Sequence, residues 1–267
     1  PYTLDAGRDR NGVLKAVTWQ ATPGGYVYRA DLAQRYLGVS SPAEMQPYVK
    51  DWDTFFQTAE TVWQASRGQT AMFDTVGGLL QVRLSDYSGS YVDSSYQPAA
   101  DSFFRTLAQD LRTSVQKGYV TDAYQWSDEW YEIGQNGSTM GYFFCTWCLG
   151  SGSMLSNAEG GEGGATYGKY NITAGPSDWA WGGSWLAVSP NCDNGQLAHD
   201  FVKYFTVDEK SMEDYALFKG EFVNNPTVMK KIVALMLVAA LCIAAGAALA
   251  EKVGVSMPTK DLQRWNQ

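Results

Sequence analysis

An α/β fold is predicted for this chain by three observations. Short extended apolar runs alternate with amphipathic helical segments, as residues 13–65 show. Gly, Pro and capping residues fall where those segments should start and stop. Apolar residues make up 45% of a 267-residue chain, enough to bury a core in one large domain or two lobes.

Residues 13–28 read as two extended pieces separated by a turn at Thr22-Pro23-Gly24-Gly25. Residues 29–37 have helical spacing and stop at Gly38; residues 43–49 form a short helix after Ser40-Ser41-Pro42. Asp51-Trp52-Asp53 caps a longer helix through Ala65, with Phe55, Phe56, Ala59 and Val62 inward. A buried strand follows at 70–73, and residues 74–84 pass from loop to helix. Phe103, Phe104, Leu107, Leu111 and Val115 recur at helical spacing within residues 99–117, which places them on one inner face. Ser127 caps the next helix, whose Asp128 and Glu129 sit where the helix dipole favours negative charge. Residues 139–147 form a strand that runs into Trp147, residues 150–165 a mobile surface loop, and residues 196–205 and 208–217 two consecutive helices. No internal repeat is visible.

Function is bounded by composition. Formal charge is −8, which disfavours a nucleic-acid partner. Ten Trp and 16 Tyr suit a ligand with flat apolar faces, such as a sugar ring. The stretch Asp178-Trp-Ala-Trp-Gly-Gly-Ser-Trp-Leu-Ala-Val-Ser189 concentrates that chemistry. Trp179 and Trp181 share one face if the segment is extended, and Gly182 and Gly183 allow close approach of a ligand. Trp185, Leu186 and Val188 suit a buried strand.

From Ile232 to Ala250 the chain carries no charge, and Met229-Lys230-Lys231 precedes it. Residues 232–250 are long enough to span or associate with a membrane as a helix. The basic start, the Ala-rich core and Ala248-Leu249-Ala250 fit a signal peptide better. Charge balance changes at the same place: residues 1–228 carry 15 basic and 26 acidic groups, residues 229–267 carry 5 and 2.

Several motifs together carry a resemblance. They are Gly12-Val-Leu-Lys-Ala-Val-Thr-Trp-Gln-Ala-Thr-Pro-Gly-Gly-Tyr-Val-Tyr-Arg29, Gln125-Trp-Ser-Asp-Glu-Trp130, Gly141-Tyr-Phe-Phe-Cys-Thr-Trp147, Trp181-Gly-Gly-Ser-Trp-Leu-Ala-Val188 and Phe222-Val-Asn-Asn225. In order and spacing the chain resembles the later two-thirds of the extracellular solute-binding proteins of carbohydrate ABC transporters, the maltose-binding-protein-like family. The resemblance implies a type II periplasmic-binding-protein-like fold, mostly its C-terminal lobe with hinge-crossing strands, plus an apolar C-terminal helix. It implies sugar held in a cleft that closes by a hinge, with an oligosaccharide and an ABC transporter permease as partners and an extracellular or periplasmic place. Residues 1–28 would be a hinge-crossing segment from a truncated N-terminal lobe, 29–189 the C-terminal α/β lobe, and 190–228 helices packing back toward the hinge. Residues 229–250 would be the signal-peptide-like helix. Residues 251–267, beginning Glu251-Lys-Val-Gly-Val-Ser, resemble the disordered start of a second sugar-binding protein of the ribose, galactose and xylose type.

By that resemblance Trp147 corresponds to a stacking aromatic at the sugar, and Trp181-Gly182-Gly183 to the approach to a later crossing. Trp19 and Tyr26 would flank the hinge and line the cleft, with Trp126 and Trp179 also on the ligand. Trp185 would then be core. With much of one lobe missing, sugar affinity is expected to be no tighter than millimolar. No cofactor or metal is implied. Cys145 and Cys148 form a C-x-x-C without a second ligand pair, which leaves a local disulfide or two thiols.

Two other functions compete. A glycoside hydrolase would need two facing carboxylates, but Asp128 and Glu129 are adjacent on a helix and diverge by roughly 100°. A membrane-anchored carbohydrate-binding module would use residues 232–250. The single histidine, His199, has helical neighbours and reads as an ordinary helix position. The glycines at 160–164 lack the Lys and helix start of a phosphate loop. An enzyme is therefore not expected.

Overall fold

Glycines, which the sequence places in a turn, instead sit inside a strand in the computed structural model of the chain, whose described residues are 3–150 and 152–234. After the short strand β1 (Val17–Thr18), strand β2 runs Gly24–Arg29 and includes both Gly24 and Gly25. Close approach, rather than a turn, requires them. A Cβ on Gly24 would stand 2.0 Å from Cε2 of Trp179, and one on Gly25 would stand 2.8 Å from the Thr173 carbonyl oxygen.

The next elements follow the capping signals. Helix α1 (Ala30–Leu37) ends on Gly38 in the left-handed region, where its N–H reaches back to Gln34. Ser41 caps α2 (Pro42–Met45), and Asp51 caps α3 (Trp52–Ala65) by accepting from the Thr54 N–H at 2.8 Å. Phe55, Ala59 and Val62 of α3 are fully enclosed. Thr75 caps α4 (Val76–Ser85), and α5 (Asp101–Lys117) closes on Gly118.

On α5 the inner face is narrower than the spacing predicts. Leu107 and Ser114 are buried, whereas Phe104 and Val115 are 43% and 58% exposed. Phe104 instead stacks on Tyr91, at 5.9 Å between ring centroids. Helix α6 (Asp128–Asn136), capped by Ser127, leads to strand β3 (Gly141–Cys145), in which every residue is buried. The expected loop at 150–165 contains α7 (Met154–Ala158), which anchors it through buried Met154 and Ala158. Strand β4 (Tyr170–Thr173) follows.

Residues 23–181 make one compact unit. Its sheet has the order β3-β2-β4, antiparallel throughout, with Tyr26 opposite Phe143 on one side and Thr173 on the other. Single parallel bridges, Ala71 to Thr139 and Phe73 to Val120, bring the extended segment at 70–73 into register beside it. Tyr26, Phe55, Phe73 and Phe143 interlock at centroid distances of 5.4 to 6.1 Å. Arg29 ties three elements of this unit together: its guanidinium forms two 2.8 Å bonds to Asp31 and a 2.6 Å bond to the Gly134 carbonyl.

The other unit comprises, among the described residues, 3–22 and 182–234. In it β1 pairs antiparallel with β5 (Trp185–Leu186), Val17 opposite Leu186. Helices α8 (Gly195–Thr206) and α9 (Glu209–Lys219) follow, and residues 226–234 are helical. Met212, Ala216, Val223, Val228, Met229 and Ile232 form its small core, against which Trp19 packs. Asn224 binds it together, donating from Nδ2 to the Thr18 carbonyl and to Thr3 Oγ1.

Among the described residues no helix is long and apolar enough to cross a membrane. The apolar segment expected at 232–250 lies outside the described residues from 235 on, as does the tail at 251–267.

Candidate aromatic binding wall

Strand β3 places the first wall residue. Five buried positions carry the chain through the core to Cys145, and a 3-10 turn at Thr146–Cys148 then brings Trp147 out half-buried. The turn is pinned where the Thr146 N–H donates to the Pro23 carbonyl at 3.1 Å. Trp147 Nε1 donates to the Trp181 carbonyl at 2.8 Å, which fixes the second wall residue beside the first. Their ring centroids are 5.1 Å apart at 55°.

Trp126 completes the wall from the loop before α6. It is 55% exposed and has a φ of +75°, a left-handed conformation that a bulky residue adopts at a cost of about 1–2 kcal/mol. Ser127 holds that geometry: its hydroxyl donates to the Tyr124 carbonyl at 2.7 Å and accepts from the Trp130 N–H. The Trp126 ring lies parallel to Trp147, 5° between planes and 6.3 Å between centroids, and is 5.6 Å from Trp181. Three indoles distant in sequence therefore form one patch within the unit at residues 23–181, with the Trp126 face most open to solvent.

Other expected site residues fall elsewhere. Tyr26 is fully enclosed, and its hydroxyl donates to the Met72 carbonyl at 2.5 Å; as the middle of the central strand it is core. Trp179 is 6% exposed because its indole lies on the bare backbone of Gly24, so alternation along an extended segment does not hold at 179–181. Trp185, expected in the core, is 38% exposed, since β5 pairs only with β1. Trp19, Gly182 and Gly183 belong to the other unit. There Gly182 offers its carbonyl to the Thr22 hydroxyl at 3.2 Å, and Gly183 has a φ of +105°, which favours glycine. Trp19 lines an apolar groove of about 500 Å³ with Leu186, Phe201, Tyr204, Tyr215 and Phe218.

Two residues behind the wall were not singled out from sequence. Trp130 is fully buried, 5.6 Å from Trp126, and its Nε1 donates to Asp74 Oδ2 at 2.6 Å. Asp74 is 1% exposed, and burial pushes its carboxyl up to about 6 despite the hydrogen bonds from Trp130 and Thr75. The four-residue spacing of Trp126 and Trp130 hinted at the first; nothing local marks the second.

Chemically the patch offers flat apolar faces. Asp128 and Glu129 are exposed on the first turn of α6, where Ser127 accounts for them as a helix start. His199 is exposed, with Nδ1 2.8 Å from the Gly195 carbonyl of its own helix. Cys145 and Cys148 are buried free thiols with sulfurs 3.3 Å apart, and burial pushes the Cys145 thiol far up, which keeps it protonated. Among the described residues no cluster of three potential metal ligands occurs.

No curated protein matches the chain. Among solved structures, an extracellular solute-binding protein of family 1 is similar at 18% identity and a TM-score of 0.73, covering 83% of this chain and 55% of its own. The sugar-binding protein MalE from Xanthomonas citri is similar at 15% identity and 0.66, covering 86% and 57%. Maltose-bound MalE3 of T. maritima is similar at 18% and 0.58, covering 85% and 59%. This chain thus spans little more than half the length of these structures, and at such identities the likeness shows the fold, an α/β periplasmic-binding-protein-like one. The bacterial extracellular solute-binding proteins match as a family over residues 1–234, and with nearly the whole of its described length matched the chain belongs to that family.

Proposed function

We propose that the chain binds a carbohydrate, an oligosaccharide in particular, outside the cytoplasm and serves its delivery to an ABC transporter permease. The observation that carries this reading is the Trp126–Trp147–Trp181 patch. The Trp147 indole is fixed by its bond to the Trp181 carbonyl and the Trp126 backbone by Ser127, so the open face of Trp126 is ready to stack on the C–H face of a sugar ring. Family membership supports solute binding, and solved proteins of like fold carry sugars in their names, maltose among them. A half-exposed indole in a strained left-handed backbone costs stability, and a retained cost of this kind fits a binding role.

Tryptophan fluorescence during titration with maltose and with xylo- and gluco-oligosaccharides tests the reading. A saturable response in the millimolar range is expected from a wall with few partner groups. Trp126→Ala is expected to weaken it roughly tenfold, the size of one good aromatic contact. No response to any of these sugars, or an unchanged one in Trp126→Ala, overturns the assignment.

A further inference from the structure

The carboxyl of Asp74 is buried in the core of residues 23–181 without a countercharge, and a fold rarely keeps such a group without using it. Oδ2 takes the 2.6 Å bond from Trp130 Nε1 and a 3.2 Å bond from the Thr75 hydroxyl, while Oδ1 is enclosed with no hydrogen-bond partner. Gly78 of α4 closes over that oxygen: a Cβ there would stand 2.9 Å from Oδ1. The Thr121 hydroxyl donates to the Asp74 carbonyl and ties the residue's backbone in place. The charge of Asp74 is felt by Tyr26 of β2 and Tyr142 of β3. Both are buried phenols pushed well up by desolvation and so neutral. Among the described residues no ion pair includes Asp74.

A chain of contacts leads outward from this carboxyl. Trp130 is locked at three points: its indole N–H by Asp74, its backbone N–H by Ser127, and its carbonyl by the Tyr142 hydroxyl at 2.8 Å. Its ring meets Phe144 edge-on at 5.7 Å and Tyr142 edge-on at 5.9 Å. Trp126 leans on that ring at 56° with a centroid distance of 5.6 Å. Asp74 is thus the anchor and Trp126 the exposed end.

We propose that Asp74 is a positioning residue of the aromatic wall, its carboxylate fixing the Trp130 indole and, through it, the face that Trp126 presents. The proposal rests on the reading of that wall as the sugar site only for its functional consequence. A carboxylate accepts the indole N–H more strongly than a neutral acid does, so protonating Asp74 loosens Trp130 and lets Trp126 reorient. The wall is then set in neutral solution and relaxes in acid.

The full chain, selectively labelled with ¹⁵N-tryptophan, tests this through its indole N–H resonances between pH 4.5 and 7.5. In the wild type the Trp130 and Trp126 signals are expected to move together, with a midpoint near the value of about 6 that burial imposes on Asp74. In Asp74→Asn, which keeps an acceptor oxygen but cannot titrate, both signals are expected to stay still, at positions near those of the acid form. Stationary Trp126 and Trp130 signals in the wild type, or the same titration in Asp74→Asn, overturn the proposal. Asp74→Asn preserves size and an acceptor, and its fold is checked by circular dichroism; a variant that melts to the unfolded baseline is replaced by Trp130→Phe, expected to abolish the Trp126 titration. Maltose added to the wild type at pH 7.5 separates the two readings. Failure of maltose to shift Trp126, Trp147 or Trp181 removes the sugar site, whereas the pH coupling is judged by the titration alone.

Discussion

At Trp126 the side chain and the backbone pull in opposite directions. Its left-handed φ of +75° costs of order 1 kcal/mol that a glycine would recover, while a 55% exposed ring returns only part of its burial energy. Trp126→Gly is therefore expected to leave stability to urea within about 1 kcal/mol of wild type while weakening any sugar response roughly tenfold, as Trp126→Ala does. A loss of several kcal/mol would show that the ring serves the fold. Asp74 has the opposite character, buried and costly when charged. Its folded value of about 6 lies above its unfolded value of 3.8, so it binds its proton more tightly in the folded state. That contribution is complete below pH 3.8 and is lost as pH rises through 6, about 3 kcal/mol in all. Asp31 works the other way: burial raises its carboxyl, but bonding to Arg29 outweighs this and leaves it lowered. Stability measured as wild type minus Asp74→Asn cancels such terms. This difference is expected to fall between pH 4 and pH 7, and a flat difference would place Asp74 in a wetter setting.

Individual elements are held by backbone proximity as much as by side-chain packing. Strand β2 is paired on both sides, to β3 and to β4, and at Gly24 the Trp179 indole occupies the place of a Cβ. Gly24→Ala is expected to cost about 3 kcal/mol, because the clashing ring is enclosed and the strand is central. Thermal melting by circular dichroism checks it, and a midpoint within a degree of wild type would mean that Trp179 moves freely. Gly12 has no atom within 4 Å of its absent Cβ but a φ of +77°, so substitution there separates backbone strain from steric overlap. Helix starts were legible in the sequence: Ser41, Asp51, Ser127 and Asp208 each cap through the side chain, and Gly38, Gly118, Gly137 and Gly220 each close a helix in the left-handed region. The turn expected at 22–25 was not, because a pair of glycines has the same local signature whether it bends the chain or admits a neighbour.

Across the whole molecule, apolar surface is distributed unequally. The unit of residues 23–181 encloses Tyr26, Phe55, Phe73, Trp130 and Phe143, whereas α8 in the other unit leaves Leu197, Phe201, Tyr204 and Phe205 at 63%, 55%, 57% and 40% exposed. These positions share one helical stripe, the spacing of a face made to be covered. Phe201→Ser with Tyr204→Ser is expected to raise solubility, with stability changed by no more than about 0.5 kcal/mol per site. Static light scattering and urea denaturation check the two parts, and an unfolded double variant would show that the stripe is core. The same face explains why the small core of Met212, Ala216 and Val223 could not be read from periodicity. Helix α8 has the pattern of a buried helix, yet Thr206 is its only fully buried residue.

By itself the sequence determined the α/β class, the helix ends and the family, because caps, glycine stops and motif spacing act within a few residues or in fixed order along the chain. Only the tertiary structure decided which tryptophans face solvent. Trp126, Trp147 and Trp181 meet through strand pairing and a hydrogen bond spanning 34 residues, and Trp179, two positions from Trp181, is buried by a glycine on another strand. The role of Asp74 was decided there too, since a carboxylate's cost depends on the water excluded around it, and that exclusion is the work of residues brought in from three distant segments.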